Sequence, residues 1–358
     1  MTTISRREML QAVGAAGALA AAGPVGRAMA QPAGKIERLD PALDRLLSSS
    51  QSVQELGSGY GGEIGPAEGP LWWKEGGYLL FSDIHNDRRM KYTPGQGVTV
   101  FKEKVNRANG LTRDLQGRLL ACEHGARRVT RQELDGSITV VANSFQGKRL
   151  NLPNDVIVKS DGCIYFTDPN HNIVPEQWDL QHPGVYRLTP DLGTMSLVTD
   201  TFVAPNGLAF SPDEKILYIN DSRRNHIRAF EMLPNGLLAK QTDRVFADLR
   251  GPEPGNADGM KVDVEGNVYC GGSGGLWVLD RTGKKHPARP ARDHQRRLRR
   301  RRLEDALHHH AQPPVGGERQ HSWRTRAGAG AEDIAVRRFM PHGSYPRPRA
   351  SHQHKEWL

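Results

Sequence analysis

The sequence predicts an all-β fold, a six-bladed β-propeller whose sixth blade is lost, and three observations favour it. Five stretches begin with an oxygen-bearing side chain and run into an apolar strand; they start at Glu68, Asn109, Asn154, Asn206 and Asp258. Each stretch reaches a polar turn and then a second strand, such as YLLFSD or CIYFTD. The copies start roughly 40 to 52 residues apart, which is the period of a propeller blade.

The chain begins with the pattern of a targeting segment. Residues 1–30 are predicted to be a twin-arginine signal peptide, because Arg6 and Arg7 precede an Ala/Gly-rich apolar stretch and small residues at 28–30 offer a cleavage site. The apolar stretch is too short and too rich in alanine for a membrane anchor. We therefore expect the twin-arginine machinery to export the protein to the periplasm or the medium.

An N-terminal extension is predicted over residues 31–58, followed by the propeller over residues 59–283. Asp40 can cap a short helix in the extension, and Pro41 suits the first helical position. The three cysteines lie in or beside second strands, so we expect buried apolar side chains rather than a disulfide framework; they are Cys122, Cys163 and Cys270.

Residues 284–358 break the repeat pattern and carry the basic charge of the chain. They contain 18 Lys/Arg against 7 Asp/Glu (net +11), which leaves 31 against 33 (net −2) for all other residues. They are rich in Arg, Pro and His and poor in apolar residues, so a disordered basic tail is predicted. The run RRLRRRR has no interleaved aromatic residues, and we expect no nucleic-acid binding.

The genetic code offers an explanation for this tail. Back-translated with permitted codons and read one nucleotide out of frame, residues 286–312 can encode Asn-Val-Ala-Phe, the turn Gly-Gly-Asp-Asp and the strand TLYITT. That asparagine would lie at about position 295, a plausible blade spacing after Asp258. We therefore interpret residues 284–358 as an out-of-frame product that replaces the sixth blade.

Propeller symmetry also predicts a metal site. Blades are related by rotation about an axis, so side chains at equal positions in each blade converge on that axis. The repeated carboxylates and amides then form a ring of hard oxygen donors, which suits Ca²⁺ or Mg²⁺ better than an ion that prefers thiolates. A GxSxG motif is absent from the sequence, so nothing indicates a serine hydrolase of that type.

Four strings resemble the regucalcin/gluconolactonase family of six-bladed propeller lactonases: AEGPLWW, LNLPNDVIV with GCIYFTDP, APNGLAFSPDEKILYINDS and NADGMKVDVEGNVY. The resemblance covers roughly residues 59–283 and is closest to exported gluconolactonases. It implies hydrolysis of a sugar lactone and a divalent metal, preferably Ca²⁺, with Mg²⁺, Mn²⁺ and Zn²⁺ as alternatives. It also implies the metal ligands Glu68, Asn206 and Asp258, with Asn154 at the site.

The residue chemistry suggests a role for each candidate. Asp258 is the expected general base, and the metal would act as a Lewis acid on the lactone carbonyl. Asn154 and Asp155 are expected to orient substrate hydroxyls, and three further residues are candidates for substrate contact: Asn109, Glu123 and His124. Asp83, Glu123, Asp168 and Asp221 recur after the first set of donors, and hydrogen bonding at blade edges is the alternative reading of this second set.

Three hypotheses remain open on the sequence alone. The first is a metal-dependent lactonase, a carboxylic ester hydrolase with a small-molecule lactone as its substrate. The second is a propeller that binds calcium or a sugar without catalysis. The third is that the chain as written is a non-functional frameshift product.

Overall fold

The computed structural model describes residues 32–38, 41–46, 52–60, 67–170 and 173–290. Within these ranges the chain forms 24 strands and three short 3-10 helices, so the predicted all-β class is confirmed. The signal-peptide prediction for residues 1–30 and most of the predicted tail, residues 291–358, lie outside the described residues.

Two strands precede the repeats: β1 (Pro32–Arg38) and β2 (Ser52–Gln54). The first sheet contains β3 (Glu68–Trp73), β4 (Tyr78–Asp83), β5 (Arg88–Thr93) and β6 (Gly97–Glu103). The second contains β7 (Ala108–Arg113), β8 (Leu119–Glu123), β9 (Arg128–Gln132) and β10 (Ile138–Ala142). A small hairpin follows, made of β11 (Ser144–Phe145) and β12 (Lys148–Arg149).

The third sheet contains β13 (Val156–Val158), β14 (Ile164–Asp168), β15 (Gly184–Leu188) and β16 (Met195–Thr199). The fourth contains β17 (Pro205–Phe210), β18 (Ile216–Asp221), β19 (His226–Met232) and β20 (Leu238–Asp248). The fifth contains β21 (Met260–Val262), β22 (Val268–Gly272), β23 (Gly275–Leu279) and β24 (Lys285–Pro290), with β1 and β2 added at its outer edge. Each sheet is one antiparallel blade, and its strands pair in chain order from the inner strand outward.

The fifth blade includes strands from outside the predicted propeller boundaries: β24 from the predicted tail, and β1 and β2 from the predicted N-terminal extension. Strand β24 runs seven residues past the predicted propeller boundary at residue 283, and it pairs with β23 through Leu279 and Lys285. Strand β1 then pairs with β24, with Glu37 opposite Arg289. An unpaired strand edge exposes a row of backbone donors and acceptors, and the N-terminal extension covers that edge here. The predicted helix after Asp40 is a single 3-10 turn, Pro41–Arg45.

The inner strands β3, β7, β13, β17 and β21 follow one another around the centre, each in contact with the next. Apolar clusters lie between successive blades. One includes Leu80 and Leu111 from the first and second blades, and another includes Leu120 and Phe166 from the second and third. The other two clusters join the third blade to the fourth and the fourth to the fifth, and they include Tyr165 with Leu217 and Ile227 with Trp277. Burial between blades therefore fixes how the inner strands are arranged.

A glycine near the start of the inner strand marks three of the close approaches between blades. A Cβ atom at Gly69, Gly110 or Gly207 would lie less than 3.0 Å from a backbone carbonyl oxygen of the next blade. At Gly259, in the fifth blade, no atom of the described residues lies within 4 Å of such a Cβ. None of the four apolar clusters of the described residues joins the fifth blade to the first. This is the flank where the sequence predicts that a blade is missing.

The three cysteines are free and buried, as expected. No helix in the described part of the chain has the length and apolar character needed to span a membrane.

Candidate functional site

The candidate donors stand at the starts of the inner strands, and we call Glu68, Asn109, Asn154, Asn206 and Asp258 the inner set. Hydrogen bonds between blades hold the main chain of four of them, because the preceding blade donates to their carbonyl oxygens. The donors are Ser82 Oγ to Asn109 (2.7 Å), Gly110 N to Asn154 (2.9 Å), Thr167 Oγ1 to Asn206 (2.8 Å) and Asn220 Nδ2 to Asp258. The backbone of the set is thus fixed independently of its side chains.

Three carboxylates converge at this site. Burial, and then the nearby charges of Asp258 and Asp155, raise the pKa of Glu68 to about 8. The pKa of Asp258 is also raised, first by burial and then by the charge of Asp155, while the Gly259 N–H and the Asn206 side chain lower it. Repulsion from neighbouring carboxylates therefore adds to burial in making Glu68 and Asp258 harder to ionise.

Asp155 completes the group, and its side chain is buried. Burial raises its pKa, whereas the Lys261 ammonium and the backbone N–H groups of Val156 and Leu208 lower it. Among the described residues, Lys261 supplies the positive charge that acts on this group, and it acts on Asp155. The site therefore has an excess of negative charge when its carboxylates are ionised.

This donor set fits a hard divalent cation. Glu68 and Asp258 supply carboxylate oxygens, and Asn154 and Asn206 add buried amide groups at matching strand positions. Among the described residues, no group of three or more His, Cys, Asp or Glu side chains is arranged to hold a metal ion. Metal binding by the inner set would therefore need the amide oxygens of its asparagines as ligands. A cation would offset the repulsion that raises the pKa of Glu68.

Asn109 and His124 form a second pair near the inner strands. The Asn109 Nδ2 atom lies 3.3 Å from His124 Nε2, and Asn109 is buried. Since Gly110 bonds to Asn154 in the next blade, the pair stands beside the carboxylate group. These two candidates for substrate contact are therefore close to the inner set.

The acids at the ends of the second strands have a different environment; we call Asp83, Glu123, Asp168 and Asp221 the second-strand acids. Asp168 accepts hydrogen bonds from the N–H groups of Asn151 (2.8 Å) and Leu152 (2.7 Å). Asp221 accepts from four backbone N–H groups, those of Val203 (2.8 Å), Ala204 (3.3 Å), Arg223 (3.0 Å) and Arg224 (3.0 Å). Both acids tie the loop before the inner strand to their own blade.

Glu123 belongs to this second group by its contacts. Its carboxylate accepts hydrogen bonds from Asn106 Nδ2 (2.9 Å), Arg128 Nε (2.7 Å) and Thr130 Oγ1 (2.9 Å). Asp83 is held in the same way by Asn86 Nδ2 (2.9 Å) and Arg88 Nη2 (2.7 Å). The structure thus brings together the inner set, Asp155 and His124, while Glu123 is engaged elsewhere by three donors.

The sequence reasoning missed the hydrogen-bond donors that hold the inner set. Ser82, Thr167 and Asn220 each immediately precede a second-strand acid, and each donates to the carbonyl of the next inner residue. A polar residue at this inward position of an apolar strand was the available signal. Lys261 was missed because its only sequence signal is its place in the strand MKV.

Comparison with known proteins gives a consistent result. A family model described as the SMP-30/Gluconolactonase/LRE-like region matches residues 66–289. A gluconolactonase of Zymomonas mobilis is 32% identical over 281 residues, covering 70% of this chain and 76% of that protein. A solved gluconolactonase from Xanthomonas campestris aligns with a TM-score of 0.66 at 34% identity, covering 75% of this chain and 89% of that one.

A more distant solved structure is regucalcin from Agrobacterium tumefaciens, described as a calcium-binding protein. It aligns with a TM-score of 0.51 at 18% identity and covers 63% of this chain and 74% of that chain. At this identity the likeness concerns the fold alone.

Proposed function

The chain belongs to the SMP-30/gluconolactonase/LRE-like family, and we propose that it hydrolyses a sugar lactone such as gluconolactone to the aldonic acid. The gluconolactonase relatives support lactone hydrolysis in general terms. The observation that carries the proposal is the convergence of Glu68, Asp155 and Asp258, whose shared repulsion and burial raise the pKa of Glu68 to about 8. Carboxylates whose pKa values are raised by burial and by neighbouring charges are typical of catalytic sites.

We propose that the site takes a divalent cation, preferably Ca²⁺. Glu68, Asp258, Asn154 and Asn206 would hold it, because they offer hard oxygen ligands on adjoining inner strands. When bound, the ion would polarise the lactone carbonyl and stabilise the negative charge that develops on its oxygen.

The chain's own residues would position the lactone and move the proton. Asp258 would accept a proton from the water that attacks the carbonyl carbon, and a raised pKa suits a base that works near neutral pH. That proton would pass to the ring oxygen as the ring C–O bond breaks, which gives the hydroxy acid. Asn154 and Asp155 would orient substrate hydroxyls, with Asn109 and His124 beside them.

The test is lactone hydrolysis measured with and without a chelator. We expect chelation to abolish the rate above the spontaneous background and added Ca²⁺ to restore it. Asp258→Asn should lower kcat/KM by roughly 10²–10⁴, the contribution of a positioned general base. A protein that binds Ca²⁺ tightly yet never exceeds the background rate would instead be a non-catalytic calcium-binding propeller, and the proposal would fail.

We also propose export by the twin-arginine route, on the basis of the N-terminal sequence pattern. The mature protein should begin near Gln31, and changing both Arg6 and Arg7 to Lys should stop export. N-terminal sequencing of the cellular protein decides this, since an intact Met1 on the major form contradicts it.

Finally, we propose that the reading frame shifts near Lys285. Two observations support a missing blade. The repeat pattern is absent from the sequence after residue 290, and no atom of the described residues lies within 4 Å of a Cβ placed at Gly259. Resequencing the DNA over codons 283–290 tests the shift directly. A frame-corrected protein should be more soluble and more active than the chain as written, and equal behaviour of the two would contradict the proposal.

A further inference from the structure

A cavity of about 100 Å³ lies between the first two blades, away from the inner set. Four cationic side chains line it, and Glu123 is the acid among its lining residues. The cations are Arg89, Lys102, Lys104 and Arg128. Four positive charges against one negative charge leave the lining with a net charge of +3. Water alone is a poor partner for so many like charges close together.

Arg89 is the most unusual member of this lining. Its side chain is 5% exposed, and its Nε atom has no hydrogen-bond partner among the described residues. Burial lowers the pKa of its guanidinium to about 10, although the charge of Glu123 opposes this. A buried cation with an unpaired N–H group is costly unless something pairs with it.

The strand register adds a second unfavourable feature. Arg89 in β5 lies directly opposite Lys102 in β6, so two like charges form a cross-strand pair on one face of the sheet. Such pairs are destabilising by themselves. Both side chains line the cavity, and therefore an anion inside it could interact with both.

Glu123 does not neutralise this pair. Its two oxygens are engaged by Thr130 Oγ1 (2.9 Å), Arg128 Nε (2.7 Å) and Asn106 Nδ2 (2.9 Å). The Arg128 charge is thus paired, whereas no ion pair with an acid of the described residues is found for Arg89 or Lys102. Lys104 is exposed, so the cavity has a charged side in contact with solvent.

We propose that this cavity binds a small oxyanion of the size of inorganic phosphate, held by Arg89, Lys102 and Lys104. A guanidinium and two ammonium groups are well suited to oxyanions. The anion would join the first blade to the second and relieve the repulsion between Arg89 and Lys102. This site is separate from the lactone site and does not depend on the proposed hydrolysis.

The test is thermal unfolding in phosphate compared with chloride at matched ionic strength. Linkage predicts a rise in Tm of roughly 3–6 °C at ten times the dissociation constant for a domain of this size, and a logarithmic increase with phosphate concentration beyond it. Arg89→Met should abolish this phosphate-specific rise and leave Tm without phosphate unchanged or higher. Lys215→Gln, which removes a charge at a largely exposed site, should retain the full rise.

Lys102→Gln and Lys104→Gln give a second route if Arg89→Met does not fold. Each should weaken the apparent phosphate affinity several-fold, measured by the phosphate concentration at which Tm begins to rise or by ³¹P NMR line broadening. Phosphate and chloride giving equal Tm values in the unmodified protein would overturn the proposal. An equal phosphate response in all the variants would do the same, because it would show only general salt stabilisation.

Discussion

The inner set and the second-strand acids place oxygen-bearing side chains about 14 positions apart in the repeat, yet their acids have different surroundings. Asp221 accepts hydrogen bonds from four backbone N–H groups, and Glu123 is held by three side-chain donors. In the inner set, the charges of Asp258 and Asp155 act on Glu68, and the charge of Asp155 acts on Asp258. Repeated acids in a propeller therefore divide into those satisfied by the protein and those left for a ligand.

This difference helps to distinguish acids with a structural role from acids that bind a ligand in a symmetric fold. A carboxylate whose oxygens already accept several hydrogen bonds has little capacity left for a ligand. Carboxylates that raise one another's pKa store repulsion that a cation would relieve. Repulsion from neighbouring carboxylates, rather than place in the repeat, distinguishes Glu68 and Asp258 from the second-strand acids.

The largest expected effect contrasts one acid from each set. Asp221→Ala should lower the free energy of unfolding by about 3–5 kcal/mol, because buried N–H groups lose their acceptor. Glu68→Gln should instead raise the metal-free stability at pH 7, because the unfolded carboxyl is ionised there while the folded one, with a pKa of about 8, must take up a proton. Urea unfolding of both variants measures the difference.

The same pair can be compared at higher pH. The folded pKa of Glu68 is raised, so its contribution to stability is lost as pH rises toward about 8. At pH 9 the metal-free Glu68→Gln protein should therefore be more stable than the unmodified protein. If Glu68→Gln destabilised the fold as much as Asp221→Ala, the distinction between the two sets would not hold.

A smaller effect is expected at Glu123, where the two roles can be distinguished directly. The sequence predicts substrate contact for Glu123, whereas in the structure three side-chain donors hold its carboxylate. We expect Glu123→Gln to reduce stability by about 1–3 kcal/mol, as charged hydrogen bonds to Arg128 and Thr130 are weakened. Lactone kcat/KM should stay within roughly threefold of the unmodified value, against 10²–10⁴ for Asp258→Asn. A loss matching that of Asp258→Asn would return Glu123 to the substrate site.

The smallest effect concerns the pH dependence of stability. Burial raises the pKa of Asp168 to about 7, although two backbone N–H groups and Arg127 oppose the shift. The folded protein then holds one proton more than the unfolded chain between about pH 4 and 7, and stability falls by about 1.4 kcal/mol per pH unit. Asp168→Asn should remove that one-proton slope from a series of unfolding curves. An unchanged slope would mean that Asp168 is ionised throughout this range.

Much of the fold could be predicted from the sequence because each blade repeats its own turn and strand signals. The five starts at Glu68, Asn109, Asn154, Asn206 and Asp258 are all at or just before inner strands. The grouping of inner acids also followed, because rotation about an axis brings equal positions together. These features depend on local pattern and symmetry, which a single sequence displays.

The remaining features depend on long-range pairing, which leaves little trace in local pattern. Strand β1 pairs with β24 across about 250 residues of chain, and neither strand has a strong alternating pattern. The donor counts around Glu123 and Asp221 depend on loops from other strands. Sequence spacing alone therefore left two readings of the second set open, substrate contact by Glu123 and hydrogen bonding at blade edges.

The open flank beside Gly259 has a consequence for how the blades hold together. Among the described residues, five blades share four apolar interfaces, so the arrangement has the energetics of a linear repeat array. In such an array the terminal units have one neighbour and fray first, while interior units open only with larger cost. A blade inserted at the flank would form two interfaces while ordering one unit. Closing the circle would therefore convert independent fraying at two ends into a single cooperative transition.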